Sequence, residues 1–178
     1  MTTRIPELAR VLIPAELIQT RVKELALQIS QEFHAVENLY LVCILKGAFI
    51  FLADLTRELK IPHMVDFMAL SSYGKSTTSG AVRIIMDLRE PIEGQHVLIV
   101  EDIVDTGQTL NYLYHVLKGR NPASLRTCVM VKKQRDAEID TPIDYLGFEI
   151  PDVWVVGYGL DFADRYRTLP YIAEMKHA

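Results

Sequence analysis

Apolar and polar positions follow two different periods along this chain, and the switches between them mark out its elements. From Pro14 to Phe33 the apolar residues fall at Ile18, Val22, Leu25, Ile29 and Phe33. Spacings of three and four put them on one face of a helix. Pro14 suits a first-turn position there, and Glu16 suits the positive end of the helix dipole. Leu39 to Leu45 is wholly apolar and reads as a strand buried on both faces. Lys46-Gly47 ends it, and Ala48 to Leu59 reads as a helix. Val65 to Leu70 reads as another strand, after which Ser71 to Gly80 breaks both periods and reads as a loop. Val82 to Leu88 alternates like a half-buried strand, and Glu90 to Gly94 forms a turn. Val97-Leu98-Ile99-Val100 is a second fully apolar strand, with a helix from Leu110 to Lys118 downstream. Ser124 to Val131 is a third, followed by Lys132-Lys133-Gln134-Arg135-Asp136. Ile150 to Asp161 reads as an apolar strand carrying the only tryptophan, and Arg165 and Arg167 fall in a terminal helical stretch. Strands alternating with helices predict an α/β fold, with an open, mainly parallel sheet flanked by helices.

Composition narrows the class. At 178 residues and 49% hydrophobic content, with no repeat, linker or low-complexity segment, the chain reads as one domain with a sizeable core. A net charge of −4 argues against a nucleic-acid binder, which carries a basic footprint. An acidic protein that holds a polyanion must gather its cations locally or recruit a divalent metal. Cys43 and Cys128 lie in apolar runs and read as buried thiols, not a disulfide. Met1 to Arg10 lacks the apolar core of a signal peptide. Leu39 to Leu55 is interrupted by Lys46 and Asp54 and is too short to span a bilayer. No membrane partner is expected, and a reducing cytoplasm fits. The five histidines show no metal-ligand spacing, and no H-E-x-x-H, G-x-S-x-G or Walker A pattern occurs.

The chemistry gathers where the second apolar strand ends. Glu101 and Asp102 close it, Ile103-Val104 follow, and Asp105-Thr106-Gly107-Gln108-Thr109 leads into a helix. In an open α/β sheet such a strand–loop–helix junction is where anions collect. Gly107 lets backbone approach a ligand, Thr106 and Thr109 supply hydroxyls, and successive N–H groups can form an anion nest. Asp and Thr beside Gly are also ordinary cap and turn residues. The acidic pair tips the balance, because carboxylates at the end of a buried strand are costly unless solvated, paired or used. Three acids do not help to hold a phosphate. They make sense if the rest of the ligand offers hydroxyls, a removable proton or a metal ion, as a sugar phosphate does. Lys46 can be a site residue or a solvated loop charge, the Lys132 run a strand-end site or a solvated turn, and Trp154 a ligand contact or a core aromatic.

The junction resembles the phosphoribosyl diphosphate (PRPP) binding motif of type I phosphoribosyltransferases. With Asp105 it is similar to the 6-oxopurine branch, the hypoxanthine-guanine enzymes. The resemblance runs from about Val11 to Ile172 and implies a twisted, mainly parallel sheet (core about 36–150) with a small hood from terminal segments (about 1–14 and 150–178). It implies transfer of a phosphoribosyl group to hypoxanthine or guanine in purine salvage, a Mg²⁺ cofactor, and a homodimer or tetramer; a PRPP-sensing regulator on the same fold is the alternative. By the resemblance, Glu101, Asp102 and Asp105 to Thr109 take the ribose phosphate, with Asp105 as general base. Leu45, Lys46, Gly47 and Arg167 take pyrophosphate, the Leu45-Lys46 peptide being cis in the family. Ser72 and Tyr73 sit in a lid over about 71–81. Lys132 meets the 6-oxo group, Trp154 stacks on the purine and backbone near Val155 reads the base edge, with no role for Lys133. Glu101, Asp102 and Asp161 order the metal, directly or through water. Phe162 stands where the family commonly has tyrosine.

Overall fold

A computed structural model describes residues 8–72, 82–135 and 140–176. Leu8–Ile13 (β1) leads into helix Ala15–Glu32 (α1), Leu39–Leu45 (β2) and helix Phe49–Glu58 (α2). Then come His63–Ser72 (β3), Val82–Met86 (β4), His96–Val104 (β5) and helix Gln108–Lys118 (α3). Ser124–Lys133 (β6), Tyr145–Ile150 (β7), Val155–Val156 (β8) and Ile172–Met175 (β9) complete the described elements.

Six strands form the larger sheet in the order β4-β3-β2-β5-β6-β7. Neighbours are parallel except β3 and β4. The alternation of a strand divides its side chains between two cores. From β2, Leu39, Leu41 and Cys43 pack with Ile18, Leu25 and Ile29 of α1 and Phe51 and Leu55 of α2. Tyr40, Val42 and Ile44 pack on the other face with Leu110, Leu113 and Leu117 of α3. β5 divides likewise, Leu98 and Val100 to the first core, Val97 and Ile99 to the second. A central strand covered on both sides has little use for polar residues, which is why β2 and the Val97–Val100 part of β5 are apolar runs.

The chain leaves β2 toward β3 on one side and later leaves β5 toward β6 on the other. The order therefore reverses between β2 and β5. Ligands in open α/β sheets settle at that switch point, beyond the carboxyl ends of the two strands. The smaller sheet, β1-β9-β8, is antiparallel and built from the chain's outer segments. It is pinned to the larger one where Tyr158 donates to Asp54 Oδ2 of α2 at 2.7 Å.

Four elements differ from expectation, the first being β5, which runs through Val104, two residues past the acid pair read as its end. β6 runs through Lys133, two residues past the apolar run. Ile150 to Asp161 is not one strand: β7 ends at Ile150, and β8 holds only Val155 and Val156 before Gly157, Tyr158 and Gly159 take positive φ. The stretch around Arg165 and Arg167 is a series of turns, not a helix, with Ala163, Asp164 and Tyr166 in the left-handed region.

Candidate active site

The ends of β2 and β5 meet at one point. The Leu45-Lys46 peptide is cis, and Gly47 follows against the Asp102 carboxylate. A Cβ at Gly47 would overlap that carboxylate, so only glycine lets the two strand ends close up. Gly159, at φ +101, packs its backbone on the Gly47 carbonyl from the hood side. Glu101 is 7% exposed, and its Oε2 has no hydrogen-bond partner. Burial pushes its carboxyl well above the ordinary range, and the charge of Asp102 adds to the effect. Burial raises Asp102 too, although it accepts a 2.8 Å bond from the Ile103 N–H. A buried acid pair with an orphaned oxygen is a place prepared for hydroxyl donors or a cation.

Beyond the pair, Val104 to Gly107 turns into α3. Gly107 is the cap residue at φ +79, and no side chain caps the helix. Thr106 and Thr109 therefore do not act as caps, and both are exposed beside a cavity of about 220 Å³ with Glu101, Asp102 and Asp105 in its wall. Uncapped N–H groups at a helix start, beside two hydroxyls, suit a phosphate. Gln108 is exposed in the first turn of α3.

The other end of the site holds a square of alternating charge. Lys133 Nζ lies 3.3 Å from Asp105 Oδ2 and 3.4 Å from Asp152 Oδ1. Arg135 closes the square, 2.9 Å from Asp105 Oδ1 and 2.7 Å from Asp152 Oδ1. The Arg135 guanidinium, then Lys133, hold the Asp152 carboxyl below its ordinary range. Lys133 Nζ also stands 5.6 Å above the Trp154 ring, and its side chain is only 8% exposed. Trp154 is 68% exposed, an open aromatic face and not a core residue. Lys132 is not part of this group: its ammonium lies 3.6 Å from Glu149 on β7. The correction has a plain cause. Because β6 continues through both lysines, adjacent side chains point to opposite faces, and the second one reaches the site. Val155 pairs with Glu174 across β8 and β9, next to Trp154.

Near β2, Lys46 Nζ lies 3.1 Å from Asp164 Oδ1. Arg167 Nη2 is 2.7 Å from Asp161 Oδ1 and 3.0 Å from Asp164 Oδ1, and Nη1 donates to the Gly159 carbonyl at 2.8 Å. Lys46, Arg167, Asp161 and the acid pair line one cavity of about 290 Å³. Asp161 accepts from the Asp164 N–H at 2.7 Å, and that local bond favours a turn over the expected helix. Ser72 closes β3, while Tyr73 and the rest of the expected lid lie outside the described residues. Lys133, Arg135, Asp152 and Asp164 were not singled out from the sequence. Their only signal was charge at element ends.

No three metal-capable side chains converge among the described residues. Glu101 and Asp102 fit Mg²⁺ in another way, because that ion is commonly held by one or two carboxylates plus substrate phosphates. Asp161 is tied to Arg167 and faces the same cavity.

With this geometry in view, the comparisons with known proteins agree with one another. The phosphoribosyl transferase domain model matches residues 14–163, and the chain belongs to that family. It is 50% identical over 163 residues to the hypoxanthine-guanine phosphoribosyltransferase of Dictyostelium discoideum, covering 89% of this chain and 91% of the relative. The hypoxanthine phosphoribosyltransferase of Salmonella typhimurium is 46% identical, covering 93% and 94%. Among solved structures, the Bacillus anthracis hypoxanthine-guanine enzyme superposes with a TM-score of 0.88 at 40% identity, covering 96% of this chain and 99% of that one. A ternary substrate complex of the Trypanosoma cruzi hypoxanthine enzyme gives 0.90 at 43%, covering 96% and 97%. The fold is that of the type I phosphoribosyltransferases.

Proposed function

We propose that this chain transfers the 5-phosphoribosyl group of PRPP to hypoxanthine or guanine, giving IMP or GMP and pyrophosphate, a step of purine salvage. One observation carries the base assignment: a buried ammonium, Lys133, beside Asp105 and over the open face of Trp154. A planar base stacked on Trp154 brings a 6-oxo group to that ammonium as an acceptor. The 6-amino group of adenine offers none. Asp105 then faces the ring proton that must leave as the base attacks, a general-base role. A sensing regulator, the alternative on this fold, gains no support: Asp105, Lys46 and Arg167 together form leaving-group and proton-transfer machinery that sensing does not need.

The remaining roles complete the proposal. The uncapped start of α3, Asp105 to Thr109, holds the 5′-phosphate. Glu101 and Asp102 accept from the ribose hydroxyls. Lys46 and Arg167, with backbone from Leu45 and Gly47, hold the leaving pyrophosphate and oppose its growing charge. Glu101 and Asp102 would hold Mg²⁺, which would supply further positive charge at the diphosphate. Val155 backbone meets the base edge. Lys133, not Lys132, reads the 6-oxo group. The two sheets work as one unit, the smaller serving as a hood over the core.

Self-association is part of the proposal. Val65 and Phe67 of β3, Ile85 and Met86 of β4 and Phe49 of α2 are all exposed apolar side chains. Exposed apolar side chains on these elements suit an interaction surface, and a second copy is the simplest occupant. Light scattering giving a monomer at micromolar concentration would reject that. None of the described helices is long and apolar enough to cross a membrane, and a cytoplasmic enzyme acting on small molecules, without nucleic acid, fits. The function is tested by mixing protein, Mg²⁺ and PRPP with hypoxanthine, guanine, xanthine, adenine, uracil or orotate and following nucleotide formation. Product from the first two and not from adenine is expected. No product from any base refutes the assignment.

A further inference from the structure

Lys46 and Arg167 lie 121 positions apart in sequence, yet a single oxygen joins them: Asp164 Oδ1 is 3.1 Å from Lys46 Nζ and 3.0 Å from Arg167 Nη2. We infer that Asp164 is a built-in competitor for the leaving-group seat, a carboxylate that occupies the two cations in the empty site and is displaced by pyrophosphate. This rests on the reading of Lys46 and Arg167 given above.

Three features support it. Two cations facing one cavity repel, and an anion between them relieves that repulsion; a pyrophosphate oxygen relieves it in the same way. Asp164 is held in place by its backbone: its N–H is bonded to Asp161 Oδ2, and it and Ala163 sit at φ +59 and +53, which L-residues rarely adopt. Asp164 is also separable. Its side chain is 69% exposed, and when it leaves, Arg167 keeps Asp161 and the Gly159 carbonyl and so stays aimed. The consequence is kinetic as well as energetic. A seat whose cations return to an internal partner releases its product more readily than one whose cations are left bare.

The test is titration calorimetry of magnesium pyrophosphate into the full chain and its variants. Exposed pairs are individually weak, so Asp164→Asn should tighten binding by about three- to tenfold. The KM for PRPP should fall in the same direction. Asp164→Glu should restore the wild-type affinity, and Asp164→Ser serves the same test if the amide unsettles the turn. In a Lys46→Ala background the gain should shrink to less than about twofold, since one of the two pairs is already gone. An Asp164 that merely supports the loop gives the opposite sign, because a loosened seat binds pyrophosphate more weakly. Equal or weaker binding by folded Asp164→Asn and Asp164→Ser overturns the inference while leaving the seat intact. If the wild-type chain itself takes up no magnesium pyrophosphate, the seat assignment falls and the inference with it.

Discussion

Replacing Glu101 by Gln should make the chain more stable and less able to hold its donor. Glu101 is buried, and one of its oxygens lacks a partner. Burial first, and the Asp102 charge second, push it well above the ordinary value of 4.5. In the unfolded chain the group ionises near that ordinary value, so between it and the raised folded value the folded state binds more protons. Stability therefore falls as pH rises through that window, and the contribution is fully present only below about pH 4.5. Gln has no proton to lose and escapes the penalty. A buried polar group left unsatisfied costs about 1–3 kcal/mol, which bounds the gain at pH 8. For a chain of this length each kcal/mol moves Tm by about 2–4 °C, so the variant should melt about 2–12 °C higher. At pH 4.5 the two melts should coincide. Because the acids interact, the apparent titration belongs to the pair, and Asp102→Asn should show a similar but smaller trend. Binding should move the other way. Losing a charged acceptor for ribose hydroxyls or Mg²⁺ costs about 1.5–3 kcal/mol, or about 10- to 150-fold in PRPP affinity. Thermal melts in EDTA from pH 4.5 to 8.5, with PRPP titrations beside them, decide the matter. A variant no more stable than wild type at pH 8, or a gap that ignores pH, refutes the account of a strained acid pair.

Other substitutions test the base end of the site. A site built to hydrogen-bond a substrate group rejects an analogue lacking it by about 10⁴–10⁵, so Lys133→Ala should erode discrimination against adenine by about 10² or more. Lys132→Ala should change that ratio by less than about threefold, since its partner is Glu149; equal effects of the two, read as kcat/KM ratios, would undo the assignment. Asp105→Asn should keep PRPP binding and lose about 10²–10⁴ in single-turnover rate, and an unchanged rate would remove the general-base role.

The parts of the fold that could be read in the sequence were those governed by burial alone. β2 and β5 are apolar because both faces are covered, and α1 carries its buried stripe at helical spacing. Glu101 and Asp102 stood out because acids at the end of such a strand need a reason. Chemistry that depends on one residue of register could not be read. Lys132 and Lys133 are indistinguishable by type. Only the extension of β6 through both, paired with Glu149 and Ile150 of β7, decides which one faces Trp154. The turns from Gly157 to Arg167 escaped for a different reason. Their apolar residues resemble a strand followed by a helix, but local bonds, such as Asp161 to the Asp164 N–H, compete with both. Arg135, Asp152 and Asp164 escaped because their partners lie far away in sequence, and charge at an element end does not say which opposite charge it will meet.

The charges of the site follow one logic, and it explains how a chain of net charge −4 can hold a polyanion. At each end of the cavity, cations are already balanced by carboxylates: Lys133 and Arg135 by Asp105 and Asp152, Lys46 and Arg167 by Asp164 and Asp161. The Lys46–Asp164 pair is exposed and cheap to exchange, so there a ligand group of matching charge can replace the internal partner at little net cost, whereas Lys133 is buried and stays with its partners. The middle is different. Glu101 is buried beside the half-buried Asp102, and burial is the largest influence on both, with Arg167 opposing it only at Asp102. The strongest unmet demand in the site is therefore for positive charge and hydroxyl donors at the centre. On the proposed function, a sugar diphosphate carrying a divalent cation would meet both at once, and its two outer phosphate groups would take the places at the α3 start and beside Lys46. A free anion of equal charge offers nothing to the centre. On this account selectivity for PRPP over simple polyphosphates comes from the acids that seem at first to oppose its binding.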